Sequence, residues 1–284
     1  GTEVVTVETG DQFLQREDRD AAEILAASLQ RDGVTVLLST RLQKVEASPD
    51  GKVLVLDTPN GEKRITVDEI LVGTGRKPNV GGLDLEAAGV EYDRSGVTVN
   101  DFLQTTNKRI YASGDVCLPF KFTHTADATS RAVIQNAPFP GLKKRVSSLV
   151  VPWCTYTDPE IAHVGLYPHQ AEQRGIAIDT WEVPMSDVDR AIAEGDQEGF
   201  LKVHCKRGTD TILGATIVAR HAGEMISEIT TAMAAGLGLG GFSGVIHPYP
   251  TQAEVIRKAA DAYNRTKLTP RVTGFLTRWF AWKR

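Results

Sequence analysis

The chain has 284 residues, 41% of them hydrophobic and 24% charged, a balance that fits about two globular domains and excludes disordered and collagen-like chains. The formal net charge is -4 and Lys and Arg are spread along most of the length, so no basic stripe marks the chain for nucleic acid. No apolar run reaches the ~20 residues of a membrane helix and no signal-peptide order opens the chain, which points to the cytoplasm and against stable membrane insertion.

Gly1 to Glu8 is a β-branched run of strand character that ends in an acid without a preceding cap or tail, the pattern of a chain cut inside a fold. Asp18 to Arg31 follows with Ala22, Leu25, Ala26 and Leu29 at helical spacing and Gly33 as the stop. Val34 to Leu38 is the next strand. Strand, helix and strand in this length predict part of a parallel α/β layer whose first strand and helix are missing. From Leu42 to Gly73 short alternating runs are split by Asp50-Gly51 and Asn60-Gly61, both turn dipeptides, which predicts antiparallel hairpins.

Two compact apolar runs, Glu69 to Val72 and Ile110 to Ala112, are expected as strands, and each leads into a glycine loop: Gly73-Thr-Gly-Arg-Lys-Pro-Asn79 and Ser113-Gly-Asp-Val116. A helix is expected over Ala126 to Ala137, then a linker from Pro138 to Arg145, with a domain boundary near residue 146. Beyond it the pattern is α+β. Val150 to Tyr156, Gly199 to Cys205 and Thr211 to Ala219 have strand character; Pro168 to Arg174, Ala222 to Ala235 and Gln252 to Tyr263 have helical spacing. Gly236-Leu-Gly-Leu-Gly-Gly241 matches G-x-G-x-x-G by letter, but it follows a helix instead of a strand, so it is expected to be the loop that ends that helix. The tail, with Phe275, Leu276, Trp279, Phe280, Trp282, Arg278, Lys283 and Arg284, has the makings of a short basic aromatic helix. It is suited to a partner subunit or, less favoured for so brief a segment, a membrane surface.

Only three cysteines occur, Cys117, Cys154 and Cys205, none at the spacing of a redox pair or zinc knuckle, and they are expected to be buried, reduced thiols. Ligands of open α/β sheets sit beyond the carboxyl ends of strands, where both glycine loops are expected. Asp115 is there placed to accept hydrogen bonds from ligand hydroxyls, although an acid in that position also serves as a simple turn cap.

Ile70 to Asn79, Thr105 through Ile110-Tyr-Ala-Ser-Gly-Asp-Val116, and Tyr156-Thr-Asp-Pro-Glu-Ile-Ala-His-Val-Gly165 resemble, in order and spacing, the pyridine-nucleotide disulfide oxidoreductases, a family that includes lipoamide dehydrogenase and mercuric reductase. The resemblance implies an α/β fold: a partial NAD(P)-binding Rossmann-like region at 1–73, an FAD-binding segment at 74–146 and a dimerisation domain at 147–284. It implies a homodimer with FAD and NAD(P)H as cofactors and a small-molecule electron acceptor. Gly114 and Asp115 look like the turn and acid that hold the ribityl chain of FAD, and Phe122, Thr123 and His124 are similar to the segment lying along the flavin and its phosphates. Glu8 sits where the family has an acid for the adenosine ribose, which favours NADH, and Leu42 and Gly75 look like further contacts along that nucleotide.

In Ile246-His-Pro-Tyr-Pro-Thr-Gln-Ala-Glu254 the family's catalytic His before Pro-Thr is replaced by Tyr249, while Glu254 is kept and His247 stands where a second His is often found. A tyrosine, with an ordinary pKa of about 10, is poorly matched to shuttling protons at neutral pH, and the substitution resembles mercuric reductases. The C-terminal vicinal cysteines of those enzymes have no counterpart here. The resemblance thus implies an oxidoreductase that passes electrons from NAD(P)H through FAD and a cysteine pair, not present in this chain, to a small disulfide or metal substrate. A non-catalytic dimerisation scaffold that binds no cofactor is the rival reading.

Overall fold

A computed structural model describes residues 1–139 and 141–283. Among them no helix is long and apolar enough to cross a membrane. The chain divides by compactness into Gly1–Ile70 with Pro152–Arg284, and Leu71–Val151. The boundaries expected from sequence lie at residues 73 and 146; by compactness they lie near residues 70 and 151, and the first stretch joins the third.

In the larger unit, β1 (Val5–Val7), α1 (Arg19–Arg31) and β2 (Thr35–Leu37) form a parallel strand-helix-strand piece, with Val5 opposite Thr35 and Val7 opposite Leu37. This is the Rossmann-like element expected from the helical period and the Gly33 stop, and Gly33 has the positive φ of 91° that ends such a helix. β3 (Arg41–Ser48), β4 (Gly51–Thr58) and β5 (Gly61–Val67) follow as a three-stranded antiparallel sheet. Its two turns are those of Asp50-Gly51 and Asn60-Gly61, with both glycines at positive φ.

The smaller unit carries the hairpin β6 (Tyr92–Asp93) and β7 (Gly96–Val97), then α2 (Thr123–Asn136), over a core of Leu103, Leu118 and Ala132. Neither run expected as a strand here forms one. Residues 69–72 have no ladder partner, and Leu71 is 98% exposed. Residues 110–112 reach only an isolated bridge between Gln104 and Tyr111. An apolar run becomes a strand only where a neighbour takes its N–H and C=O groups, and no described residues do so here.

The rest of the larger unit is α+β: β8 (Pro152–Thr155), β9 (Glu160–Gly165), α3 (Pro168–Gln173), β10 (Ile178–Pro184), α4 (Asp189–Glu194), β11 (Phe200–Lys206), β12 (Ile212–Ala219), α5 (Ala222–Ala235), α6 (Glu254–Arg265) and α7 (Pro270–Trp282). Five strands pair antiparallel in the order β10-β11-β12-β9-β8. Strand side chains alternate between faces, and the register places Phe200, Val218 and Ile161 on one face in line. Ala21 and Leu25 of α1 pack on that face. The opposite face, with Leu201, Val203, Ile217 and Val164, meets α5 and α6, whose Ile226, Ile229, Val255 and Ile256 are buried. Burial of so many aliphatic side chains, at roughly 1.5–3 kcal/mol each, makes this sheet the main core of the unit.

Polar side chains tie α1 to the sheet as well. Glu17 accepts hydrogen bonds from Trp153 Nε1 at 3.0 Å and from the Tyr167 hydroxyl at 2.5 Å. Lys202 on β11, its side chain only 11% exposed, pairs with Asp20 and lies 3.9 Å from Asp18 and 3.8 Å from Glu182. Past α5 the chain turns at Gly236, φ 71°, into a short 3-10 stretch, so the glycine-rich Gly236 to Gly241 is the helix-ending loop expected.

Candidate functional site

Gly114–Val116 is a single 3-10 turn that brings Asp115 to the start of α2. Gly114 has φ 73°, and a Cβ on it would stand 3.0 Å from the Ala126 Cβ, so glycine lets the turn lie close against the helix. Its N–H donates to Thr129 Oγ1 at 3.2 Å, and Thr129 donates in turn to the Thr125 carbonyl at 2.8 Å. The turn is therefore fixed to α2 by both packing and a buried hydrogen bond. The Asp115 side chain stays 46% exposed and lies 3.4 Å from Arg76 Nη1. Arg76 also donates to the Lys121 carbonyl at 2.6 Å, and Lys121 Nζ donates to the Asp115 carbonyl at 3.0 Å. Two cations thus hold the loop around one acid.

Phe122 occupies the N-cap of α2 and Thr123 its first turn. A phenyl ring has no acceptor, so Phe122 gives the first-turn N–H groups no side-chain cap. The Phe122 and His124 rings stack with centroids 5.2 Å apart. Thr125 Oγ1 is buried without a hydrogen-bond partner in the same turn. An exposed carboxylate, an uncapped helix start and an orphaned buried hydroxyl fit a ligand that brings both hydroxyls and phosphates, as FAD does.

Glu8 follows β1. Burial opposes its charge, yet hydrogen bonds from Gly10 N–H at 3.1 Å, Gln15 at 2.6 Å and Thr9 at 3.3 Å outweigh it and hold the carboxyl below its ordinary range. It stays ionised near neutral pH, with its own chain as present donor. Leu42 stands exposed at the bulge where the β3–β4 register shifts. Gly75, in the other unit, has φ 109° and open space where a Cβ would lie.

Between the 3-10 stretch after α5 and the start of α6, Pro248-Tyr249-Pro250 is exposed, and the Tyr249-Pro250 peptide is cis. The Tyr249 hydroxyl donates to Asp189 Oδ2 at 3.1 Å, and this bond holds the phenol above its ordinary pKa. His247 Nε2 lies 3.0 Å from Glu228 Oε1. Glu254 instead binds Arg257 Nη2 at 2.5 Å, leaving its Oε2 buried without a partner. The three residues picked from sequence therefore share one segment of the chain, Tyr249 exposed, the His247 side chain and Glu254 buried, and each has a separate partner. Asp189, Glu228 and Arg76 were missed; Arg76 alone had a signal, its place inside the glycine loop.

The thiols do not form a redox pair. All three are free, Cys205 buried and the other two half-buried, and burial pushes Cys117 up to about 11 and Cys154 and Cys205 up to about 12. None is a thiolate at neutral pH.

Comparison with known proteins matches residues 1–137 to the family model for pyridine nucleotide-disulphide oxidoreductases and residues 151–260 to that for the dimerisation domain of the same family. The chain is 34% identical over 266 residues to a mercuric reductase of Staphylococcus aureus, covering 93% of this chain and 48% of that one. It is 35% identical over 268 residues to a dihydrolipoyl dehydrogenase of Thermus scotoductus, covering 93% and 58%. Among solved structures it is similar to LpdA from Mycobacterium tuberculosis, with TM-score 0.83, 27% identity and coverage of 93% and 57%. It is also similar to the HOCl-induced flavoprotein disulfide reductase RclA from Escherichia coli, with TM-score 0.81, 27% identity and coverage of 91% and 59%. The chain spans about half the length of the curated relatives it matches.

Proposed function

Because the chain belongs to the pyridine nucleotide-disulphide oxidoreductases, we propose that it serves an FAD-dependent enzyme that takes electrons from NAD(P)H and delivers them to a small disulfide or metal acceptor. The observation that carries this reading is the Gly114–Asp115 turn fastened to the uncapped start of α2. In it Asp115 accepts hydrogen bonds from ligand hydroxyls, the first-turn N–H groups of α2 take a phosphate, and Arg76 and Lys121 hold the loop in shape. When bound, FAD supplies the two-electron chemistry, and the protein's part is orientation and charge. Glu8, ionised at the end of β1, supports NADH as donor, since an acid there suits ribose hydroxyls and repels a 2′-phosphate. Leu42, exposed on the same unit as Glu8, serves as an apolar contact along the same nucleotide.

Tyr249 supports a metal ion over a dithiol as the acceptor. Its phenol stays protonated at neutral pH, so it donates a hydrogen bond without exchanging a proton with thiols. His247 and Glu254 help shape the same segment, in a homodimer formed through the 151–260 domain. A second reading is a dimerisation scaffold without bound cofactor, which rests on the 151–260 domain alone.

The purified protein tests both. A flavin spectrum that is lost in Asp115→Ala supports the first reading; a colourless dimer supports the second. NADH oxidation driven by Hg(II), and not by lipoamide or glutathione disulfide, identifies the metal branch. Full activity of Tyr249→Phe would remove Tyr249 from the reaction.

A further inference from the structure

The residues after Asp261 carry six of the chain's 32 cations, Arg265, Lys267, Arg271, Arg278, Lys283 and Arg284, and none of its 36 acids. The other residues of the chain have 26 cations against 36 acids, so residues 262–284 form a basic segment next to an acidic remainder. Within this tail α7 is a well-formed helix: Thr269 caps it by accepting from Val272 N–H at 3.4 Å, and Pro270 stands in its first turn. Not one of its residues is buried. Phe275, Trp279, Phe280 and Trp282 are all exposed, Trp282 by 77%.

These side chains are not scattered. At 3.6 residues per turn Val272, Leu276 and Trp279 lie along one line, with Phe275 and Trp282 on one flank and Phe280 on the other, while Gly274, Thr277 and Ala281 lie opposite. Phe275 and Trp279 stack at 6.4 Å, Trp279 and Trp282 meet at 5.5 Å, and the Lys283 ammonium sits 5.4 Å from the Trp279 ring centre. Arg271 and Arg278 border the Phe275–Trp282 flank. The result is a continuous aromatic strip with Arg271 and Arg278 along one side and Lys283 at its C-terminal end.

We propose that α7 lays this protein onto an anionic lipid bilayer, aromatic strip down, with Arg271, Arg278 and Lys283 reaching the lipid phosphates. Indole rings favour the boundary between acyl chains and headgroups because one edge donates a hydrogen bond and the rest is apolar. Thirteen helical residues extend about 20 Å, short of the ~30 Å hydrocarbon layer, so the helix lies along the surface and does not cross it. The charge argues for lipid over a second copy of this helix. A symmetric contact between two α7 strips would set cations against cations, whereas an anionic leaflet draws them in. The inference is independent of cofactor binding.

Flotation of the full chain with vesicles tests it. Binding is expected to vesicles containing phosphatidylglycerol and not to phosphatidylcholine alone, and to weaken with salt. The Arg271→Gln, Arg278→Gln, Lys283→Gln triple variant should bind about a hundredfold more weakly, since each basic residue strengthens such binding about fivefold. Trp279→Ser with Trp282→Ser should weaken it at least about tenfold, with far-UV circular dichroism and melting unchanged in both variants. Equal binding to both vesicles, or none, overturns the proposal. So does an aromatic variant that binds as well as the parent, because the contact is then simple attraction of polyanions, and so does a tail variant that dissociates a dimer without changing vesicle binding.

Discussion

Lowering the pH from 7 to 5 should cost the five-stranded sheet about 4 kcal/mol through two histidines alone. His163 on β9 and His204 on β11 are both 1% exposed or less, on the face covered by α1. Burial first of all lowers His163 from 6.5 to about 3 and His204 from 6.5 to about 4. The partners suit neutral rings. His163 Nε2 donates to the Gly165 carbonyl and its Nδ1 accepts from Thr216 at 2.8 Å. His204 Nδ1 meets Thr180 Oγ1 at 2.9 Å, and its Nε2 has no acceptor for a second proton. Unfolding exposes both to water, where they take up protons below about pH 6.5. Stability is therefore full above that pH and falls as pH drops toward the folded values, by about 1.4 kcal/mol per unit per histidine, or about 2 kcal/mol each at pH 5. Glu17 and Asp18, raised mainly by burial, act in the opposite sense, so the comparison must be with variants. Urea unfolding followed by Trp153 and Trp181 fluorescence at both pH values reads the difference. His163→Gln with His204→Gln should lose about 4 kcal/mol less than the parent between pH 7 and 5; equal losses would refute the buried neutral assignment.

Lys202→Met should destabilise the larger unit by about 3 kcal/mol at pH 7, because it leaves Asp18, Asp20 and Glu182 facing an apolar side chain; the urea midpoint measures it. Glu17 has a folded pKa above its unfolded value, so its contribution is best below that value and declines as pH rises. Glu17→Gln, which keeps an acceptor for Trp153 and Tyr167, should gain on the parent as pH goes from 4.5 to 7, and a constant difference would contradict this. At Gly96, φ 128°, a Cβ would stand 2.1 Å from the Val116 carbonyl oxygen. Gly96→Ala should cost about 1–3 kcal/mol in thermal melts and, by displacing the turn that bears Asp115, reduce flavin retention.

The elements legible in the sequence are those whose signal is local. α1 and α5 follow from periodic apolar residues with a glycine stop, and the β3–β5 hairpins from Asp-Gly and Asn-Gly. β9 and β10 went unread: β9 is a run buried on both faces with a histidine inside, and β10 is an edge strand whose mixed Ile-Asp-Thr-Trp-Glu-Val-Pro carries little contrast. Residues 69–72 erred in the other direction, since apolar character says nothing of whether a ladder partner exists. At the candidate sites, Asp115 and its glycine were legible as loop chemistry. The Tyr249 to Asp189 bond was not, because sixty residues separate the two and only the fold brings them together.

Residues 71–151 interrupt the unit that holds α1 and the five-stranded sheet. Synthesis from the N-terminus therefore delivers Ala21 and Leu25 long before Phe200 and Val218, the side chains that cover them. The inserted stretch meets no such delay, for Leu103, Leu118 and Ala132 emerge close together. The contacts of the inserted stretch are therefore available earlier in synthesis than those between α1 and the sheet.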